Sequence, residues 1–300
     1  MKTFFYLFNL ILICYGSKNN LGLYAQTVIY KTQLPKKIEE TSGLEFFDQD
    51  FLTHNDSGGK AVLYRFTTQG ELLEQYNIEG GENNDWEDIA QDENFIYISD
   101  SGNNKGKRKN LSILIVDPKD NFKKVGQLAF HYNDQQNFDK RKKHPFDAEA
   151  LIATQKSLIL FSKNRKNLTT ELYSLPKTEG NYSLSAQKSF DVQSLITGAD
   201  YHDKLNLVAL VGYTKSRAQF LYTLSSFDMY NLNSVKIKKF KLPLDGKQIE
   251  AIKKWWKENG KSTVTGIALA LAAVFGWQGW QKQQQETNYA ASAAYQNLLN

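Results

Sequence analysis

Between residues 27 and 247 short apolar runs alternate with polar turns, and the alternation repeats. Each unit opens on a Gly- or Glu-bearing phrase: SGLEF at Ser42, WEDIA at Trp86, AEALI at Ala148 and TGADY at Thr197. An apolar strand and a polar turn follow, as FLTHNDSGG, FIYISDSGNN, LILFSKNRKN and LVALVGYTKS. A second apolar strand closes each unit, as AVLYRF, LSILIV, TELYSL and QFLYTL. Successive openings fall in the roughly 40–50 residue range of propeller blades, apart from one longer unit. Runs such as Phe95-Ile96-Tyr97-Ile98 put side chains on both faces of a strand. Asp56-Ser57-Gly58-Gly59 and Asp100-Ser101-Gly102-Asn103 supply residues that tolerate left-handed backbone angles. No long amphipathic helix interrupts the units. Short sheets of this kind cover their faces by stacking radially, which favours a β-propeller over a sandwich.

The pattern changes near residue 248. Four of the five tryptophans, Trp255, Trp256, Trp277 and Trp280, bracket the uncharged stretch Thr263 to Trp280. As a helix this stretch is about 27 Å long, close to the thickness of a bilayer core. The tryptophans suit interfacial belts, and Gly266, Ala270, Ala272 and Gly276 permit close helix packing. A buried hydrophobic helix is the alternative. Residues 248–262 are basic and amphipathic, and 281–300 read as the start of a further helical segment. The fold class expected is therefore mainly β: an incomplete β-propeller of about four blades plus the start of a fifth, then a C-terminal transmembrane α-helix and a short helical segment.

Residues 1–26 read as an export signal: a basic start at Lys2, an apolar core from Phe4 to Tyr15, and a cleavage site near Leu23-Tyr24-Ala25. Cys14 is the only cysteine, which excludes an intrachain disulfide framework or thiolate metal site. Ile13 stands where a lipidation signal wants a small residue. A net charge of +5 over 300 residues, with lysines scattered among acids, gives no footprint for nucleic acid.

Aligned openings put Gly43, Glu87, Glu149, Gly198 and Glu250 in one column, which in a propeller faces the channel or one mouth. Glu87, Asp88, Asp147 and Glu149 then converge with His54, Asp56 and Asp100. Hard oxygen ligands of this type suit calcium or magnesium, although no cofactor is required. Two carboxylates could also act as acid and base in a hydrolase. The plainer reading is structural: Asp capping turns, and Glu near the axis paired with Lys or Arg. His54 is the better functional candidate among the four histidines, because it belongs to a polar turn. His144, beside Arg141, Lys142 and Lys143, reads as part of an exposed basic loop. No metal-ligand histidine spacing, nucleophile elbow, phosphate loop or dinucleotide fingerprint occurs.

THNDSGG (53–59), DWEDIA (85–90), DSGNNKG (100–106), HPFDAEAL (144–151) and ITGADY (196–201) resemble phrases of a class of secreted Bacteroidota β-propellers. That resemblance implies a scaffold and no defined substrate. The string QIEAIKKWWKENGK (248–261), the apolar span 266–280 and QKQQQETNYAASAAYQNLL (281–299) resemble the N-terminal anchor of the ancillary SecYEG translocon subunit family, which carries a tetratricopeptide-like domain. This second resemblance implies an inner-membrane protein with a cytoplasmic N terminus. Its partners would be membrane lipid, the SecYEG translocon and periplasmic chaperones. Only the first part of that helical domain is present here.

The two resemblances imply opposite topologies. Lys253, Lys254, Lys257 and Lys261 favour a cytoplasmic side before the span, whereas the N-terminal signal exports residues 27–247. QIEAI fits both a fifth blade opening and the anchor start, so a chimera joined at that string is expected, with no strand following Ile252. Two functional readings stay open. One is a non-enzymatic membrane-anchored envelope protein, with Trp255, Trp256, Gly266, Ala270, Gly276, Trp277 and Trp280 as membrane or partner contacts. The other is a secreted propeller that binds a glycan or protein at its acidic mouth.

Overall fold

A computed structural model describes residues 4–9, 27–38, 40–140, 142–244, 250–255 and 266–271. The fold is mainly β, with four blades in a propeller arrangement and a fifth, four-stranded sheet where the sequence predicts only the opening of a fifth blade. Blade 1 contains Thr41–Phe47, Asp50–Asn55, Val62–Phe66 and Leu72–Asn77. Blade 2 contains Asp88–Gln91, Ile96–Asp100, Leu111–Asp117 and Lys123–Tyr132. Blade 3 contains Ala148–Ala153, Ser157–Ser162, Thr169–Pro176 and Lys188–Asp191. Blade 4 contains Leu195–His202, Leu207–Tyr213, Gln219–Ser225 and Lys236–Lys241. In each blade the strands run antiparallel in sequence order from the axis outward.

Packing explains which strands are apolar. Ile96–Asp100 is buried at every position because a neighbouring blade covers each of its faces. Leu52, Leu63, Trp86, Ile98 and Leu114 fill the space between blades 1 and 2. Tyr97, Ile113, Tyr132, Leu151, Leu160 and Tyr173 fill that between blades 2 and 3. Ile159, Phe161, Leu172, Val208, Leu210 and Tyr222 fill the next. The outermost strands reach solvent, so Leu72–Asn77 and Lys236–Lys241 are mostly exposed. An additional strand, Gly180–Leu184, leaves blade 3 and pairs in parallel with the outer strand of blade 2, Leu128 opposite Gly180 and Tyr132 opposite Leu184.

The inner strands carry the bulges that shape the mouth. Register shifts between Ser42 and Leu44, Ala148 and Ala150, and Ile196 and Gly198 leave Gly43, Glu149 and Thr197 as the extra residues. The column expected from sequence is thus right at Gly43 and Glu149, but its member in blade 4 is Thr197 rather than Gly198. Gly43 has φ +50°, and a Cβ there would lie 2.5 Å from His54 Nε2 and 2.9 Å from the Ile89 nitrogen. Only glycine fits this approach.

The fifth sheet begins at the axis with Ala251–Trp255, which packs between the inner strands of blades 4 and 1. Gly266–Leu271, Phe4–Asn9 and Thr27–Gln33 follow it outward, all antiparallel. A strand does therefore follow Ile252. Within the helix expected over 263–280, Gly266–Leu271 is extended, and within the expected signal so is Phe4–Asn9. The physical reason lies in the open edge of Ala251–Trp255, whose backbone groups need partners. GIALAL supplies them without introducing charge. No helix among the described residues is long and apolar enough to cross a membrane. Trp256, Gly276, Trp277 and Trp280, with the segment expected over 281–300, lie outside the described residues.

Trp86 is fully buried, with its indole N–H donating to the Glu82 carbonyl at 2.8 Å. Trp86→Ala is expected to destabilise the propeller by about 3–5 kcal/mol, read as a lower urea midpoint with an unchanged slope.

Candidate functional site

Seven charged side chains from three blades meet at one mouth of the propeller. Asp56 comes from the turn after the second strand of blade 1, and Asp85 and Glu87 flank Trp86 ahead of blade 2. Asp147 and Glu149 enter with the first strand of blade 3, and Lys163 and Arg165 follow its second strand. The bulge at Glu149 turns that side chain toward the axis. One carboxylate oxygen from each of Asp56, Asp85 and Glu87 lies within 4.8 Å of the others, and the same holds for Glu87, Asp147 and Glu149.

These two groups are compensated differently. Lys163 Nζ pairs with Glu149. Arg165 Nη2 reaches Asp147 and Glu149, each at 3.1 Å. The Asn103 N–H also donates to Asp147 at 2.7 Å. Asp56, among the described residues, accepts only from the Ser57 N–H, at 2.6 Å. Among the described residues, the Asp85 and Glu87 carboxylates have neither a hydrogen bond nor an ion pair.

Burial dominates the titration of the mouth, because a carboxylate removed from water favours its neutral form. Asp56 rises to about 6 through burial and then the charge of Glu149. Asp85 rises to about 7 through burial and then Asp56 and Asp147. Glu149 reaches about 7 from burial, with Lys163 opposing. Glu87 goes well above its ordinary range, for burial and four surrounding carboxylates act together. Burial alone would lower Lys163, but Glu149 beside it holds the ammonium well above its ordinary value.

Other expected site residues are placed elsewhere. Asp88 sits on the propeller axis, where its carboxylate accepts N–H bonds from Ile89, Leu151 and Ala199 at 2.9, 2.9 and 3.3 Å. Those bonds span blades 2, 3 and 4, so Asp88 ties inner strands together. Asp100 is engaged by Asn84 Nδ2 at 2.8 Å, the Asp85 N–H at 2.9 Å and Arg108 Nη2 at 3.0 Å. His54 is buried edge-on to Trp86, with ring centroids 5.5 Å apart, and burial lowers it to about 4. It is a neutral packing residue rather than part of a polar turn. His144 is likewise buried, 1% exposed, against Gly106 and Phe146, not on an exposed loop.

Sequence reasoning did not single out Asp85, Lys163 or Arg165. Lys163 and Arg165 occupy the turn of blade 3 that corresponds to the turn after Asp50–Asn55 in blade 1, which carries Asp56. Extending the column comparison to those turns would have found them. At the other end of the channel Lys253 Nζ bridges Glu45 at 2.5 Å and Asp200 at 2.9 Å. Burial pushes Glu45 up to about 6, with Lys253 opposing.

Comparison with known proteins separates the two parts of the chain. A family model described as a tetratricopeptide repeat-like domain matches residues 253–300. An ancillary SecYEG translocon subunit of Haemophilus influenzae is 43% identical over 53 residues, 18% of this chain and 26% of that protein. The protein of that name from Escherichia coli is 40% identical over 52 residues, 17% and 25% of the respective chains. The chain thus spans about a quarter of the length of these curated relatives. Among solved structures, the WD40 domain of Neurospora crassa Pan2 aligns with a TM-score of 0.39 and 9% identity, over 82% of this chain and 79% of that one. The tetratricopeptide-like match begins inside Ala251–Trp255, so the propeller body and that match meet within one strand. This arrangement fits a chimera.

Two predictions follow from the charges. From about pH 4 to 7 the folded chain holds more protons on Asp56, Asp85, Glu149 and Glu45 than the unfolded chain, whose carboxyls titrate near 3.8 and 4.5. Their stabilising contribution is full below that window and is lost as pH rises through 6 and 7. His54 acts in the opposite sense: its contribution is full above 6.5 and is lost as pH falls toward 4. The carboxyls outnumber the imidazole, so in chelator-containing buffer the urea midpoint should be lower at pH 8 than at pH 5.5. Separately, Lys163→Met leaves Glu149 buried beside one base instead of two and should cost about 3–5 kcal/mol. Adding Glu149→Gln should recover most of that loss in the same denaturation assay.

Proposed function

We propose that this chain is a non-enzymatic, membrane-anchored protein of the bacterial envelope, with its propeller mouth presented to a ligand. The likeness of the C-terminal region to ancillary SecYEG translocon subunits, with the tetratricopeptide-like match over 253–300, supports the anchoring half of this reading. In it, Trp255, Trp256, Gly266, Ala270, Gly276, Trp277 and Trp280 contact lipid or the translocon, and the portion beyond the inner membrane meets periplasmic chaperones. Boundaries at 26/27, 247/248, 262/263 and 280/281 would divide signal, propeller, basic segment, span and helical start. Anchoring requires Gly266–Leu271 to leave the fifth sheet. In lipid a backbone without water satisfies its own polar groups by becoming helical, which supplies the driving force.

The pairing of Gly266–Leu271 with the propeller favours a second reading, a secreted or periplasmic propeller that binds a glycan or protein at the same mouth. Under either reading catalysis has little support, because Asp147 and Glu149 are already engaged by Lys163 and Arg165.

Membrane fractionation separates the two. An anchored chain pellets with membranes after alkaline extraction, and deletion of residues 256–300 releases it. Recovery of the intact chain in the soluble fraction or the medium would reject the anchor and leave the secreted reading. Under both, an immobilised panel of envelope glycans and peptides should retain the wild-type chain, and Glu149→Ala should reduce that retention.

A further inference from the structure

We infer that Asp56, Asp85 and Glu87 form a binding site for a divalent cation that prefers oxygen ligands, set between blades 1 and 2. This deepens the reading of the mouth as a binding surface and rests on it. The three carboxylates each bring an oxygen within 4.8 Å of the other two, a spacing that one ion can bridge. Proximity of acids alone would mean little, since Glu87, Asp147 and Glu149 are equally close. That second group, however, already has Lys163 and Arg165 within ion-pair distance. No lysine or arginine among the described residues makes an ion pair with Asp56, Asp85 or Glu87.

Glu87 carries the inference. It is 5% exposed, its carboxylate points into the cluster, and it accepts no hydrogen bond among the described residues. A carboxylate on a residue this buried, with no hydrogen-bond donor and no ion pair among the described residues and with Arg165 acting on it only from beyond ion-pair distance, is costly to hold in its charged form. The surroundings hold it in place instead of relieving it. Trp86 beside it is locked by its indole N–H on Glu82 and its backbone N–H on Asn83 Oδ1 at 3.2 Å. Asn83 Nδ2 donates to the carbonyls of Asn55 and Asp56 at 3.0 and 2.8 Å, which fixes the Asp56 turn against the Asp85–Glu87 segment. Gly102 completes the cradle: a Cβ there would fall 2.2 Å from Glu87 Oε1 and 2.5 Å from Asp85 Oδ2. Only a residue without a side chain lets both carboxylates turn inward. Three carboxylates drawn from two separate segments match calcium, which accepts six to eight oxygens in flexible geometry, better than magnesium with its strict octahedron.

The test is calorimetric titration of the full chain with calcium chloride at pH 7.5 after chelator treatment, with magnesium chloride in parallel and thermal melts as a second readout. The expected result is saturable calcium binding, a melting midpoint that rises with calcium, and weaker magnesium binding. Glu87→Gln and Asp85→Asn, nearly isosteric and checked for native circular dichroism, should each weaken calcium by about tenfold or more. Asp203→Asn, on the opposite face, should leave it unchanged. Absence of both heat and thermal shift at millimolar calcium would overturn the site, as would undiminished binding in both mouth variants. If calcium fails while the glycan and peptide panel still retains the chain in chelator, the cation inference falls and the binding mouth stands. If both fail, the mouth reading falls too.

Discussion

A sheet that is apolar on both faces must be covered on both faces, and every other feature of this propeller follows from that constraint. Leu160 of blade 3 packs toward blade 2 while its neighbour Ile159 packs toward blade 4, so a blade that loses one neighbour exposes half of its interior. The ring therefore has to close, and closure depends on Ala251–Trp255 lying between blades 4 and 1. Ala251 itself is fully buried in the same cluster as Leu34, Phe51 and Phe66. The demand for closure also accounts for the extended backbone of Gly266–Leu271: once the fifth inner strand is seated, its outer edge needs a partner.

Closing a ring brings the inner strands together, and their polar residues lose water as a consequence. The molecule meets that loss in three ways. Asp88 is held by backbone N–H groups from three blades. Glu149, Asp147, Glu45 and Asp200 are paired with lysine or arginine. Among the described residues Asp85 and Glu87 receive neither treatment, and Asp56 has a single backbone N–H, from Ser57. The first two solutions serve the fold, whereas in the third burial pushes the carboxyls toward their neutral form.

The inner three strands of each blade were legible because both of their faces are buried, which concentrates Ile, Leu, Phe and Tyr into short runs. The outermost strands were not. LLEQYN and KIKKFK present most of their positions to solvent, so their composition matches that of loops. Gly180–Leu184 was hidden for a further reason: its partner belongs to the preceding blade, a pairing that no local pattern encodes. The candidate site was half legible. Openings such as WEDIA and AEALI led to Glu87 and Glu149, but polar composition alone could not separate Asp56 at the mouth from His54 behind it or Asp100 under Arg108. The tail shows the limit of composition most clearly, since GIALAL suits both a lipid-facing helix and a strand edge.

The excursion of Gly180–Leu184 has a consequence for how the chain is made. Blade 2 is complete in sequence at Tyr132, yet its rim gains a last ladder only after roughly fifty more residues have left the ribosome, at the usual pace of a few seconds. Until then Lys123–Tyr132 is a bare template on a nascent polypeptide. Once the ladder forms, blades 2 and 3 are stapled by backbone as well as by side chains. They should open to hydrogen exchange as a single cooperative foldon and not one after the other.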